Sequence, residues 1–356
     1  MPVFVVRKAG HDGVTRRPTQ ADMLMPMNAQ DRSAARLAFV RQHLPGPDFR
    51  IAPASEDASF RSYWRVQGAG PSRIVMDAPP DKEPIAPWLD IGARLRTAGV
   101  HAPEVFASDE KSGFVLMEDL GTRTYLPELN AANADALYAN ALAALARMQQ
   151  VDATGLPPYD RNFLVAEMEL MPEWFLKRHL GLAPSCEEWD VIEAAFTFLV
   201  HAVLEQPRTF VHRDYHSRNL LVTPEHSPGV IDFQGAMLGP ATYDLASLLR
   251  DCYIAWDEAR VTAWVESFRQ HHAASVDAAT FRRWLDLTGL QRHIKVLGIF
   301  CRLRYRDGKA QYLGDLPLVW RYFTAIAGRY PELVDFSTLL QRAVGGRDLT
   351  VPAATP

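Results

Sequence analysis

The stretch between positions 210 and 234 constrains this chain more than any other. It reads Phe210-Val211-His212-Arg213-Asp214-Tyr215-His216-Ser217-Arg218-Asn219-Leu220-Leu221, and Gly229-Val230-Ile231-Asp232-Phe233-Gln234 follows. Short extended pieces at 210–212, 220–222 and 229–231 bracket a polar loop. An aspartate in that loop, an asparagine five positions on and an aspartate at the end of the next short hairpin bring three oxygen-bearing side chains together. Hard oxygen donors in that number suit Mg²⁺, which takes one or two carboxylates and fills its shell with phosphate and water. His212-x-Asp214 alone is no more than a turn with an Asx hydrogen bond. The two further intervals make it specific.

The flanking sequence agrees. A helical pattern starts near Ala29, and β-like stretches follow at 49–53, 59–66 and 73–78. The second alternates Phe60, Ser62, Trp64 and Val66 against Arg61, Tyr63 and Arg65, as a strand with one wet face does. Ile85, Trp88, Leu89, Gly92 and Leu95 recur at helical spacing up to Gly99, a C-terminal stop. A strand pair is expected at 104–108 and 113–118. Beyond Gly121, Ala- and Leu-rich helices dominate, near 131–150, 161–180, 187–205, 257–273, 277–305 and 317–329. The expected fold class is α+β, with a small β-rich N-lobe, a larger helical C-lobe and a ligand cleft. The expected division is an N-terminal extension at 1–28, an N-lobe at 29–118, a C-lobe at 119–347 and a tail at 348–356.

In the kinase template the loop Asp accepts a hydroxyl proton, while the Asn and the later Asp hold Mg²⁺ on nucleotide phosphates. The run His212-x-Asp214-x-x-x-x-Asn219, with Ile231-Asp232-Phe233 and Gly239-Pro240-x-x-Tyr243-Asp244-Leu245-Ala246, resembles the aminoglycoside phosphotransferase and choline kinase family over residues 30–330. Met76-Asp77-Ala78-Pro79-Pro80 and Leu248-Leu249-Arg250-Asp251-Cys252-Tyr253 are similar to the bacterial anomeric kinases of N-acetylmuramate and N-acetylglucosamine in cell-wall recycling. The resemblance implies a bilobal protein-kinase-like fold, ATP and Mg²⁺ as cofactors, and transfer to the anomeric 1-hydroxyl of an amino sugar. It implies Asp214 as catalytic base, Asn219 and Asp232 as metal ligands, and a hinge at 114–120 holding adenine, with Met117, Glu118 and Leu120 at the nucleotide. His212 and Asp244 are expected to brace the loop. Arg213, His216, Arg218, Arg250 and Asp251, in or just after the motifs, are the acceptor-side candidates. The alternatives are a kinase for another small alcohol or an aminoglycoside, and a nucleotide-binding module without turnover.

Two departures stand out. The hairpin expected to cover the phosphates carries Ser55-Glu56-Asp57-Ala58-Ser59-Phe60 and no glycine, leaving the hydroxyls of Ser55, Ser59 and Ser62 as substitutes. The third strand, Ser72-Arg73-Ile74-Val75-Met76-Asp77-Ala78, lacks the lysine that protein kinases place against the phosphates. Arg61, Arg65 or Arg73 could supply that charge, with Glu83 or Asp90 as partner acid. Only six lysines occur in the whole chain, a scarcity that reads as codon bias.

Composition narrows the partners. The 356 residues carry 38 Lys and Arg against 42 Asp and Glu, a net charge of -4 that excludes a bulk nucleic-acid footprint. Arg292, Lys295, Arg302, Arg304, Arg306 and Lys309 nevertheless cluster, which favours an anionic acceptor over a polycationic one. Tyr215, Tyr253, Trp256 and Trp320 are candidates to stack on sugar faces. Three widely spaced cysteines fit neither a disulfide framework nor a zinc site, and no apolar run spans a membrane. The expectation is a cytoplasmic monomer whose partners are a nucleotide and a small amino sugar, with no nucleic acid and no membrane.

Overall fold

A computed structural model describes residues 29–44, 48–56, 60–68 and 70–352. The chain divides into two compact units, one of residues up to 84 with 106–116, the other of 85–105 with 117 onward. In chain order the first elements are α1 (Ala29–His43), β1 (Phe49–Glu56), β2 (Ser62–Gly68), β3 (Arg73–Asp77), α2 (Ala86–Thr97), β4 (Val105–Asp109) and β5 (Phe114–Glu118). The strands form one sheet in the order β1-β2-β3-β5-β4. Trp64 pairs with Val75, and Tyr63 with Met76, so alternation sorts the side chains by face. Val66 and Val75 pack with Phe39 and Val40 of α1 and with Phe114 and Leu116 of β5, Trp64 lying against them. The turn before β5 depends on Gly113: at φ 75° it brings its carbonyl to 2.8 Å from the Ala78 N–H. A Cβ there would sit 1.8 Å from the Ala78 oxygen, so no other residue fits.

The second unit takes α2 as well. The ring of Phe233 lies 5.1 Å from that of Trp88, and Gly92 leaves room for it. The sequence reading placed 29–118 together, but this packing groups 85–105 with the larger unit. The unit continues with α3 (Tyr125–Glu128), α4 (Ala134–Met148), α5 (Arg161–Met168), a π-helical turn (Met171–His179) and α6 (Cys186–Leu204). Four short strands follow, β6 (Arg208–Val211), β7 (Leu220–Leu221), β8 (Gly229–Val230) and β9 (Met237–Pro240). The remaining helices are α7 (Tyr243–Leu249), α8 (Glu258–His272), α9 (Ala278–Tyr305), α10 (Leu316–Ala327) and α11 (Val334–Val344). Helix starts follow the sequence: Ser185 and Glu188 form a capping box, and Asp160, Asp257 and Asp277 each accept a backbone N–H of the first turn.

The helix expected over 161–180 breaks after α5. Leu170 passes so close to α9 that a Cβ on Gly298 would lie 2.4 Å from its carbonyl carbon, and the chain rewinds as a π-helical turn. α9 runs through the middle of the core, so most of its surface from Leu285 to Cys301 is buried. β6 pairs with β9 and β7 with β8, two small antiparallel ladders that open onto the loop 212–219. All three cysteines are free thiols. Among the described residues no helix is long and apolar enough to cross a membrane.

Candidate active site

The loop between β6 and β7 is held from beneath by a single carboxylate. Asp244, in the first turn of α7, accepts the backbone N–H of His212 at 2.6 Å and that of Arg213 at 2.9 Å. Burial pushes this carboxyl up to about 6 despite those bonds. His212 ties the loop to the next hairpin: Nδ1 accepts the Asp214 N–H at 3.3 Å, which puts the ring proton on Nε2, 3.0 Å from the Ile231 carbonyl. On the far side, Asp251 accepts the N–H of Ser217 at 2.9 Å and of Tyr253 at 3.0 Å.

Two residues of the motif have left-handed backbones, Arg213 at φ 78° and Asp232 at φ 64°. Such positions cost about 1–3 kcal/mol and persist where surrounding contacts over-determine them, commonly at functional sites. Here the contacts are visible. Arg213 donates to Glu167 at 2.7 Å and lies over the Phe163 ring at 4.9 Å. Asp232 accepts from Gln234 at 2.7 Å and from the Asn219 amide at 3.4 Å.

Asn219 also donates to the Asp214 carbonyl at 2.9 Å, so loop and hairpin share one hydrogen-bond set. With its nitrogen engaged on both sides, the Asn219 carbonyl oxygen is the group left to coordinate. One carboxylate and one amide oxygen match the small share of protein ligands that Mg²⁺ takes beside phosphate and water. No three His, Cys, Asp or Glu side chains group as a metal site among the described residues.

Asp214 itself is half-buried. Burial raises its carboxyl pKa, but the charges of Lys295, His216, Arg292 and Arg213 outweigh that and bring it below the ordinary value. Lys295 and Arg292 come from the basic run on α9, and both are buried. Lys295 Nζ lies 2.8 Å from Glu167 and donates to the Tyr243 hydroxyl at 3.2 Å, while Arg292 donates to the Cys252 thiol at 3.2 Å. The run is therefore not one exposed stripe: Arg306 and Lys309 lie past the end of α9, and Arg306 pairs with Asp307.

The acceptor-side candidates separate. His216 stands edge-on to Tyr253 at 5.3 Å, its Nδ1 buried without a hydrogen-bond partner, and burial keeps the ring below its usual pKa. Arg218 lies 3.6 Å over the Tyr253 ring. Arg213 donates to Glu167, and Asp251 accepts one backbone N–H on each carboxylate oxygen. Arg250 turns to Glu258, with 2.8 Å bonds from both terminal nitrogens. Of the aromatic candidates, Tyr215 is core with its hydroxyl on the Ala141 carbonyl, and Trp320 stacks on Phe323. Trp256 donates to the Tyr138 hydroxyl.

The nucleotide-side candidates are only partly described. Ser59 lies outside the described residues, as does the side chain of Ser55. Arg61 is bound to Glu83 at 2.9 Å, and its parity continues that of Tyr63 and Met76. Arg73 is on the opposite face, stacked over Phe106 at 3.9 Å, and Asp90 is taken by Arg94. Asp77, at the end of β3, is a buried acid held by Arg32 and Arg36 of α1. Met117 and Leu120 are buried. The Glu118 N–H already donates to the Glu104 carbonyl at 2.8 Å, and its carboxylate takes His101 and the Glu104 N–H.

Sequence reasoning missed Glu167, which pattern alone does not reveal. Gln234 sits inside the motif and was visible there. Lys295 and Arg292 were noticed for charge, not for their place under Asp214.

A family model for a phosphotransferase enzyme family matches residues 50–293. The chain belongs to that family. It is 45% identical over 300 residues, 83% of this chain and 88% of the relative, to an N-acetylmuramate/N-acetylglucosamine kinase of Pseudomonas aeruginosa. Two solved structures share the fold, protein-kinase-like in both cases. A choline/ethanolamine kinase family protein from Mesorhizobium loti has a TM-score of 0.59 at 15% identity, covering 87% of this chain and 99% of that one. The ADP-bound aminoglycoside phosphotransferase APH(2'')-Ib has a TM-score of 0.54 at 14% identity, covering 81% of this chain and 97% of that one.

Proposed function

We propose that this phosphotransferase is an amino-sugar kinase that moves the γ-phosphoryl of ATP onto the anomeric hydroxyl of N-acetylmuramate and N-acetylglucosamine. The observation that carries the reading is the 45% identity to a kinase of that name over most of both chains. Asp214 orients the hydroxyl and accepts its proton, a role suited to a carboxylate kept ionised by Lys295 and Arg292. Asn219 and Asp232 would hold Mg²⁺, which supplies charge neutralisation on the phosphates. His212, Asp244 and Asp251 fix the loop so that little reorganisation remains at reaction. Arg61, steadied by Glu83, supplies the cation that β3 lacks. His216 and Arg218 face the acceptor.

The test is an acceptor screen with purified protein, ATP and Mg²⁺. ADP release should depend on either amino sugar and yield an acid-labile sugar 1-phosphate, with choline, homoserine and aminoglycosides inert. Asp214→Asn should lower the rate by about 10²–10⁴-fold with the fold retained. Undiminished turnover in that variant, or sugar-independent ADP release, would contradict the assignment.

A further inference from the structure

A second concave site lies within the larger unit, walled by Arg250, Trp256 and Glu258 and by Arg321 and Tyr322 of α10 with Arg329 just past its end, and has a cavity of about 240 Å³. Its charge does not balance. Glu258 is shared by Arg250 and Arg282, with Arg329 at 3.8 Å, and Asp286 is shared by Arg282 at 3.0 Å and Arg329 at 3.1 Å. Four guanidinium groups, counting Arg321, therefore surround two carboxylates. Arg321 has no acidic partner among the described residues, and its guanidinium lies 6.0 Å from the Tyr322 ring centre. Arg250 is only 4% exposed, and its Nε has no acceptor. Arg321 and Arg329 are exposed to solvent and so accessible to an anion, while Arg250 is buried beside them.

We propose that this pocket binds a small oxyanion, a carboxylate or phosphate group, which Arg321 and Arg329 grip while Trp256 and Tyr322 wall the attached body. Guanidinium forks match both groups in a bidentate manner, and the two rings offer apolar faces to a small molecule. The pocket is also wired to the catalytic loop. The Arg250 carbonyl accepts His293 Nε2 at 3.1 Å, and the His293 ring stacks on Tyr322. The next residue, Asp251, is the one that holds Ser217 in place. Two sources share this chemistry, the acid arm of N-acetylmuramate and a separate phosphate-bearing metabolite. The first rests on the function proposed above; the second does not.

Calorimetric titration of the full chain without ATP tests the site, using N-acetylmuramate, N-acetylglucosamine and inorganic phosphate as probes. The wild type should bind at least one of the two anions, and Arg321→Ala should weaken that binding by at least about tenfold, with partial recovery in Arg321→Lys. N-acetylglucosamine, which has no acid, should bind both proteins equally. A loss confined to N-acetylmuramate identifies the acceptor's carboxylate as the occupant; a loss confined to phosphate identifies a separate anion. The proposal is overturned if neither anion binds the wild type at millimolar concentration. It is equally overturned if both anions bind Arg321→Ala and the Arg321→Ala/Arg329→Ala pair as they bind the wild type. Because no turnover is measured, failure here leaves the kinase reading intact, and failure of the acceptor screen leaves this result standing.

Discussion

Individual side chains in this protein are held by sharing. Glu167 takes Arg213 and Lys295 on one oxygen and the Tyr159 hydroxyl on the other, all largely buried. Burial pushes its carboxyl up, yet the two cations bring it below the ordinary value. Glu167→Gln would remove the carboxylate that Lys295 and Arg213 share and leave Asp214 as the carboxylate acting on both, a loss of about 3 kcal/mol in chemical denaturation. A change under 1 kcal/mol would mean that water reaches them. Asp244 behaves oppositely. Its native carboxyl is raised from an ordinary 3.8 to about 6, so its contribution is fully present below about pH 4 and declines as pH climbs to about 6. The shift is on the order of 3 kcal/mol. Asp244→Asn cannot titrate and replaces one acceptor with a donor facing a backbone N–H, costing roughly 1–3 kcal/mol. The wild type's advantage over the variant should therefore fall between pH 4 and 6, to zero or below, and stay flat above. A gap constant with pH would refute the buried-acid account.

At the scale of elements, what could be read beforehand was what is local. Strand β2 announced itself by alternation, β3 and β5 as short apolar stretches, and α2 by its apolar spacing and Gly99. The loop 212–219 was legible because its intervals are chemical. α7 was not, since every residue from Tyr243 to Leu249 is buried and a helix covered on all sides shows no amphipathic period. β9 was hidden by Gly239 and Pro240, residues that usually end strands. Glu167 reaches Arg213 across 46 positions, and nothing in either neighbourhood announces the pairing. The π-helical turn is likewise written elsewhere, in Gly298 on α9. Gly298→Ala would drive a methyl group into the Leu170 backbone, and the expected overpacking cost is roughly 1–3 kcal/mol in urea denaturation, partly offset by the roughly 1 kcal/mol gained from helix propensity. A neutral or stabilising result would show that the contact can relax.

For the whole molecule, two compact units of unequal size share one chain, and surface-to-volume scaling treats them differently. The cluster under the smaller sheet rests on Phe39, Val40, Val66, Val75, Phe114 and Leu116. The larger unit builds a continuous core from Tyr159 to Leu349 through α6, α9 and α10. A small unit buries a smaller fraction of its apolar surface and opens at lower free energy, so opening should be graded and not all-or-none. Hydrogen exchange read by mass spectrometry should show amides of β2 and β3 exchanging at least about tenfold faster than those of α6 and the middle of α9, since 1.4 kcal/mol in opening free energy is tenfold in rate. The loop 212–219 should follow the slow group, because Asp244 and Asp251 tie it to the large core. If β2, β3, α6 and α9 exchange together, the chain opens as one cooperative body, and the separate small core has no energetic meaning.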